Sequence, residues 1–133
     1  MRRIVIVDDS PIFHRIMESI LKPYFQVVGK GFSGLEAIDL YTKMKPDLLL
    51  LDITMPNCDG KESLQKILSL FPNATIVMVS GIGDMDTVKE CLELGAKAFV
   101  NKGQISATKP ENCELLKVVN YVLDGNTEKV RVA

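Results

Sequence analysis

Five short apolar runs alternate with five amphipathic stretches along this chain, and no other feature limits the possible folds as strongly. The runs are Ile4–Val7, Gln26–Val28, Leu48–Leu51, Ile76–Val79 and Ala98–Val100. Most of them lack polar alternation, which is typical of strands buried on both faces. Strands that alternate with helices form a parallel sheet with helices on both of its faces. We therefore predict an α/β fold, a doubly wound (βα)5 domain with five parallel strands.

The order of the strands is constrained by how apolar each run is. The Leu48–Leu51 run suits the middle of the sheet, whereas the more polar, glycine-containing second run suits an edge. The fifth run is also weak and is predicted at the other edge. This pattern is compatible with the flavodoxin-like order 2-1-3-4-5, although it does not derive that order.

Capping residues and helix breakers mark where the predicted helices begin and end. Ser10 and Pro11 are a typical helix start, and Ser33 with Glu36 is a typical capping box. The first four predicted helices begin near Ser10, Ser33, Gly60 and Asp84, and the fifth includes Leu115–Leu123 with its start left open. The five helices end before Pro23, Pro46, Pro72, Gly95 and Gly125. We predict one domain over residues 1–124 and a short C-terminal tail over 125–133, whose last eight residues fray.

Composition excludes several classes of protein. The 133 residues suit one domain, and a net charge of −1 gives no sign of a nucleic-acid partner. The three cysteines are widely spaced and odd in number, which argues against a secreted disulfide framework and favours reduced thiols. The apolar run after the N-terminal arginines is too short for a signal peptide, and no stretch approaches a membrane span. We predict a cytoplasmic protein without membrane insertion.

Polar residues follow four of the five predicted strands. Asp8 and Asp9 follow the first strand, Asp52 the third, Ser80 the fourth and Lys102 the fifth. Ligands of open parallel sheets bind beyond the carboxyl ends of the strands, so these groups should meet at one rim. Each motif alone is more often an ordinary turn or helix cap. Their joint placement on four strand ends makes coincidence a poor explanation.

This set of groups has a chemical purpose. Carboxylates about 4 Å apart repel by roughly 4 kcal/mol at an effective dielectric constant of 20, so the cluster favours a divalent cation. Oxygen ligands without His or Cys point to Mg²⁺ or Mn²⁺ rather than zinc. Asp52 is then a credible nucleophile for an aspartyl phosphate, with Lys102 and Ser80 holding phosphoryl oxygens.

The segments that carry these residues, IVIVDDSP, PDLLLLDITMPNCDG, VMVSG and FVNK, resemble the receiver domain of two-component response regulators. The resemblance covers about residues 2 to 124 and is nearest to stand-alone regulators of the chemotaxis type. It implies Mg²⁺ as cofactor, a sensor histidine kinase or phosphotransfer protein as phosphodonor, and signalling through a protein partner. It does not imply turnover of an external substrate.

The resemblance also implies a role for each matching residue. Asp52 would be the phosphoacceptor and would ligate Mg²⁺ with Asp9, with the backbone carbonyl of Thr54 and, largely through water, with Asp8. Lys102 would bind phosphate. Ser80 would be the switch hydroxyl and Phe99 the switch aromatic, which would turn inward when Ser80 moves toward a phosphate. The output surface would then be the fourth helix, fifth strand and fifth helix, with changes near Phe99 and residues 84–94.

Three positions depart from the family pattern. Gly103 stands where family members usually have a proline after the lysine, and the connection from Gly103 to Pro110 is longer than usual. A cis bond before a non-proline residue costs about 2.5–4 kcal/mol, so we predict a trans Lys102–Gly103 bond and a mobile loop after it. Ile82 offers no hydrogen bond to an attacking water, which predicts slow self-dephosphorylation.

His14, the single histidine, follows Phe13 on the first predicted helix. It lies off the apolar stripe of that helix, so we predict a surface histidine without a catalytic role.

Other functions on the same fold stay open. A hydrolase that uses an aspartyl phosphate, of the haloacid-dehalogenase type, would carry a second aspartate where Thr54 stands. A flavodoxin-like electron carrier would need a phosphate cradle where Asp8 and Asp9 stand. An unphosphorylated interaction module would not require the five polar groups together.

Overall fold

A computed structural model of the protein describes residues 1–55, 59–81, 85–105 and 114–125, together with the backbone of residues 130–132. Within these ranges the chain forms one sheet of parallel strands in the order β2-β1-β3-β4-β5-β6. The strands are β1 (Arg3–Val7), β2 (Gln26–Gly31), β3 (Leu48–Asp52), β4 (Ile76–Ser80), β5 (Ala98–Asn101) and β6 (Val130–Val132). The predicted order 2-1-3-4-5 of the first five strands is confirmed.

Within the described ranges, five α-helices connect or follow these strands. They are α1 (Pro11–Leu21), α2 (Gly34–Met44), α3 (Gly60–Leu70), α4 (Met85–Leu94) and α5 (Glu114–Leu123). The predicted caps are confirmed, since the Ser10 and Ser33 side chains accept hydrogen bonds from backbone N–H groups in the first turns of α1 and α2. Gly95 and Gly125 follow α4 and α5 with φ values of +130° and +87°, a backbone region that favours glycine.

The sheet separates two hydrophobic clusters. One face packs against α1 and α5, through residues that include Ile20 and Val119, and the other face packs against α2, α3 and α4. The β3 and β4 strands are buried along their whole length. Successive side chains of a strand point to opposite faces, so Val77 and Val79 belong to the first cluster, and Met78 to the second.

The C-terminal segment corrects one expectation. The last eight residues were predicted to fray, but Val130–Val132 forms a sixth strand parallel to β5, with Phe99 opposite Arg131. β5 is therefore not an edge strand as expected, whereas the predicted edge position of β2 is confirmed. A strand of three residues has too little periodicity to be recognised in the sequence.

Among the helices that the structure describes, none combines the length and the apolar character needed to cross a bilayer.

Candidate functional site

The carboxyl ends of the central strands meet at a cavity of about 260 Å³. It is lined by Asp9, Asp52, Thr54, Ser80, Gly81 and Lys102. Asp52 and Ser80 are the last residues of β3 and β4, and Lys102 directly follows β5. The parallel strands thus bring these groups to the rim predicted from the sequence.

Three carboxylates converge beside this cavity. Asp8, Asp9 and Asp52 each offer one oxygen, and these oxygens lie within 4.8 Å of one another. Asp8 and Asp52 are buried, with 0% and 3% of their surface exposed, whereas Asp9 is exposed. Two buried anions and one open to water form a cluster that a cation can enter from the solvent side.

Among the described residues, only one of the two oxygens of the Asp8 carboxylate accepts a hydrogen bond. Its Oδ1 accepts from the backbone N–H of Ser10 at 2.8 Å. Its Oδ2 lies 2.8 Å from Lys102 Nζ, an ion-pair distance, but without the alignment of a hydrogen bond from any described residue. A buried carboxylate oxygen with free accepting capacity is suited to a water or metal ligand.

Asp52 lies in surroundings that disfavour its charge. Burial raises its pKa most, and the neighbouring Asp8 carboxylate raises it further. The Lys102 ammonium, 3.4 Å from Oδ2, and the Thr54 backbone N–H, 3.4 Å from Oδ1, act in the opposite direction. The result is a pKa of about 6 instead of 3.8. A cation at this site would favour the ionised carboxylate.

Lys102 is the positive charge that faces both buried carboxylates. Its Nζ also lies 4.5 Å from the centre of the Phe13 ring, which is a cation–π contact. No sequence signal links Phe13 to Lys102, because the contact joins α1 to a residue beyond β5 that is distant in the chain.

The peptide after Lys102 is trans, as predicted. Lys102–Gln104 forms a short 3₁₀ turn, and the Asn101 side chain accepts a 2.8 Å hydrogen bond from the Gly103 N–H at its start. A proline at position 103 would lack that N–H group. The turn that follows Lys102 is thus fixed by an Asn–Gly hydrogen bond. Of the predicted mobile loop from Gly103 to Pro110, residues 106–110 lie outside the described residues.

Gly60 is a further residue whose role the sequence did not reveal. A Cβ atom at this position would lie 2.1 Å from the backbone oxygen of Asp52 and 2.6 Å from Ile53 Cα. The Gly60 N–H donates a 2.8 Å hydrogen bond to the Ile53 carbonyl. Only a glycine lets α3 begin this close to the end of β3, and it thereby fixes the backbone that carries Asp52.

The remaining predicted residues lie in or behind the site. Thr54 is exposed and Ser80 is buried, and both line the cavity. Phe99 of β5, the predicted switch aromatic, is only 1% exposed and therefore already points inward. Ile82, predicted to influence dephosphorylation, lies outside the described residues.

His14 is a second correction. It was predicted on the surface, but it is 3% exposed. Its Nε2 lies 2.9 Å from the Asp8 carbonyl and 2.8 Å from the Gly31 carbonyl. The helical pattern shows which residues of α1 share a face, but it does not show what each face contacts. In the structure, the face that carries His14 lies against the ends of β1 and β2.

The donor set fits Mg²⁺. The described site offers carboxylate oxygens of Asp8, Asp9 and Asp52, and Asp8 Oδ2 has unused accepting capacity. Asp9 and Asp52 of this cluster line the cavity together with Thr54.

A parallel sheet of this order with an acidic cluster and a lysine at its carboxyl rim defines a class of phosphorylatable signalling domain. The family model of the response regulator receiver domain matches residues 4–109. The chain belongs to this family. The chemotaxis protein CheY of Listeria monocytogenes is 39% identical over 103 residues, which cover 77% of this chain and 87% of that protein.

Two solved structures resemble this fold. The response regulator domain of Thermotoga maritima CheB superimposes with a TM-score of 0.84 and is 30% identical, covering 95% of this chain and 98% of its own. The CheX-CheY-BeF3-Mg+2 complex of Borrelia burgdorferi matches with a TM-score of 0.82 and 32% identity, covering 91% and 88%. The acidic cluster of Asp8, Asp9 and Asp52 is compatible with the Mg²⁺ binding and phosphorylation typical of receiver domains.

Proposed function

We propose that this protein is a response regulator whose Asp52 accepts a phosphoryl group from a sensor histidine kinase, a phosphotransfer protein or a small phosphodonor. The observation that carries the proposal is the cluster of three carboxylate oxygens within 4.8 Å of one another, with the Lys102 ammonium facing two of them. Membership of the receiver family supports it.

The chain's own residues divide the work of phosphoryl transfer. A carboxylate oxygen of Asp52 forms a new bond to phosphorus as the donor's P–N or P–O bond breaks, and the leaving group keeps the electron pair. Lys102 and Ser80 bind the phosphoryl oxygens, and the Lys102 ammonium balances part of their charge. Bound Mg²⁺ would neutralise charge on the carboxylates and on the phosphoryl group. Asp9, Asp52 and the Thr54 carbonyl would hold the ion directly, and Asp8 largely through water.

The modification is a signal rather than a step in substrate turnover. Receiver domains are signalling proteins, and the relative from Listeria monocytogenes is a chemotaxis protein. We propose slow self-dephosphorylation, with Ile82 failing to orient an attacking water. The cytoplasmic location expected from the cysteine pattern stays a prediction.

The output partner is proposed to be a protein that binds the surface formed by α4, β5 and α5, where β6 occupies the outer edge of β5. Two apolar side chains of α4, Met85 and Leu94, are each 39% exposed and offer contact area there. The complex named CheX-CheY in Borrelia burgdorferi supports recognition of such a domain by another protein. A pull-down with and without a phosphoryl mimic would identify the partner and its dependence on phosphorylation.

Incubation with acetyl phosphate and MgCl₂, followed by intact-mass measurement, tests the proposal. We expect a single phosphoryl group on wild-type protein, none on Asp52→Asn, and none after chelation with EDTA. Asp39→Asn is a matched control, because Asp39 is an exposed aspartate of α2 that pairs only with Lys43 among the described contacts. It should be phosphorylated like wild type.

Two results would contradict the proposal. Equal incorporation by Asp52→Asn would place the phosphoryl group elsewhere. Continuous hydrolysis of a generic phosphomonoester would instead favour the aspartyl-phosphate hydrolase.

A further inference from the structure

His14 is a buried polar side chain next to the acidic cluster that phosphoryl transfer itself does not use. Its Nε2 lies within hydrogen-bond distance of two backbone oxygens, those of Asp8 and Gly31. Its ring also packs against Phe32 with the ring centres 4.5 Å apart and the planes tilted by 46°. The side chain therefore has a defined place and orientation.

The two contacts identify the tautomer. Carbonyl oxygens only accept hydrogen bonds, so Nε2 must carry a proton that it shares between the two acceptors. The other nitrogen, Nδ1, is buried and has no hydrogen-bond partner among the described residues. That arrangement suits an Nδ1 without a proton, because a buried N–H without an acceptor would be left unsatisfied.

The carbonyl of Asp8 belongs to the peptide that joins Asp8 to Asp9. The orientation of this peptide therefore affects the directions of the Asp8 and Asp9 carboxylates. The Asp8 N–H donates to the Gly31 carbonyl at 3.0 Å, and His14 binds the carbonyl on the other side of the residue. The end of β1 is thus held from both sides before the chain turns into α1.

We infer that His14 is a positioning residue for the proposed Mg²⁺ site, acting through the peptide between Asp8 and Asp9. The inference rests on the proposed function, since it concerns the same acidic cluster. Outer contacts that orient metal ligands usually change metal affinity by about 10–100-fold when they are removed. His14 acts on backbone rather than on a ligand atom, so we expect the lower end, a roughly tenfold weaker binding of Mg²⁺.

Two substitutions separate the hydrogen bond from the packing. His14→Phe keeps a ring against Phe32 but removes the donor. His14→Gln keeps an N–H donor at the same number of bonds from Cβ as Nε2 of histidine. The control is Ile67→Val, which removes one buried methylene group from α3 on the other face of the sheet. Urea unfolding of all four proteins measures their stability in parallel.

Mg²⁺ affinity is measured by following amide shifts during titration with MgCl₂. We expect His14→Phe to bind about tenfold more weakly, His14→Gln to recover most of the affinity, and Ile67→Val to bind like wild type. Unchanged affinity in His14→Phe would overturn the inference. Equal weakening in Ile67→Val, or no recovery in His14→Gln, would overturn it as well, because general destabilisation would then explain the loss.

The imidazole ¹⁵N shifts of wild-type protein give a test that needs no variant. A protonated Nε2 and an unprotonated Nδ1 would support the inference, whereas the opposite tautomer would overturn it while leaving the metal site intact. Wild-type protein that binds no Mg²⁺ would overturn the proposed metal site and the inference together.

Discussion

Asp52 has a carboxylate whose surroundings disfavour the ionised form. Its carboxylate is buried beside Asp8, and these two causes raise its pKa from 3.8 to about 6 despite the opposing effect of Lys102. At neutral pH the metal-free protein therefore keeps a charge that its surroundings disfavour. A nucleophile has to be ionised and close to the cation that activates the reaction, so the same arrangement that reduces stability is useful for phosphoryl transfer.

We predict that Asp52→Asn stabilises the metal-free protein at pH 7. An acid whose pKa is raised on folding contributes stability below its unfolded pKa of 3.8, and that stability is lost as pH rises through about 6. The full shift corresponds to about 3 kcal/mol. The cavity opens to solvent and screens part of it, so we expect about 1–2 kcal/mol. Urea unfolding in EDTA at pH 7 measures this difference.

The stability gained by Asp52→Asn should disappear near pH 4, because the wild-type Asp52 carboxylate is then protonated in the folded state. Asp39→Asn, on the exposed face of α2, should change stability little at either pH. Equal stability of Asp52→Asn and wild type at pH 7 would contradict the prediction.

Gly60 gives a second prediction at the scale of one residue. Its absent side chain lets α3 start against the backbone of Asp52, and an added Cβ would lie 2.1 Å from a backbone oxygen rather than from the end of a flexible side chain. We expect Gly60→Ala to lose about 3 kcal/mol or more, at the upper end of the cost of overpacking. Thermal and urea unfolding both test it.

Gly81→Ala is the matched control, because its Cβ would meet Lys102 side-chain atoms at an ordinary 3.6 Å. Similar stability of the two alanine variants would show that the α3 start tolerates a side chain.

At the scale of elements, sequence patterns succeeded where local chemistry decides the outcome. Ser10 and Ser33 cap helices because their side chains accept from N–H groups three residues away, which the sequence shows directly. The strand ends that carry Asp52 and Lys102 also followed from strand and helix alternation.

Contacts between distant segments were not predictable in the same way. The burial of His14 and the contact of Phe13 with Lys102 depend on how α1 sits against the ends of β1 and β5. β6 was missed because its three residues carry no recognisable period.

The presence of β6 predicts how fast the amides of β5 exchange with solvent. Removing residues 126–133 should leave the domain folded but expose the β5 edge, because the backbone groups of β5 that face β6 then bond to water. Loss of a backbone hydrogen bond is worth about 0.5–1.5 kcal/mol, so amide exchange within Ala98–Asn101 should quicken by about 2–12-fold. Hydrogen exchange followed by NMR measures this change.

Ile4–Val7 of β1, which pairs with β2 and β3, provides an internal control and should exchange as in the full chain. Unchanged exchange in β5 would mean that β6 does not protect that edge in solution.

At the scale of the whole molecule, the adjacent strands β4 and β5 connect the site to the proposed output surface. Ser80 and Phe99 lie on adjacent strands, where Met78 stands opposite Phe99 and Ser80 opposite Asn101. Phe99 is already buried in the cluster that contains Val88 and Cys91 of α4. A change at Ser80 can therefore reach α4 through packed side chains, and an outward arrangement of Phe99 would be the alternative state.

Adding beryllofluoride and MgCl₂ to the protein tests this connection, with beryllofluoride standing in for the phosphoryl group on Asp52. A ligand shifts a conformational equilibrium only through contacts that differ between the two states, and the Ser80 hydroxyl supplies such a contact. We expect amide shifts at the rim and also at Phe99 and along Met85–Leu94. Ser80→Ala should keep the rim shifts and lose most of those in α4, and Ser69→Ala, at an exposed serine of α3, should behave like wild type. Shifts confined to the rim in wild-type protein would show that binding at Asp52 does not reach α4.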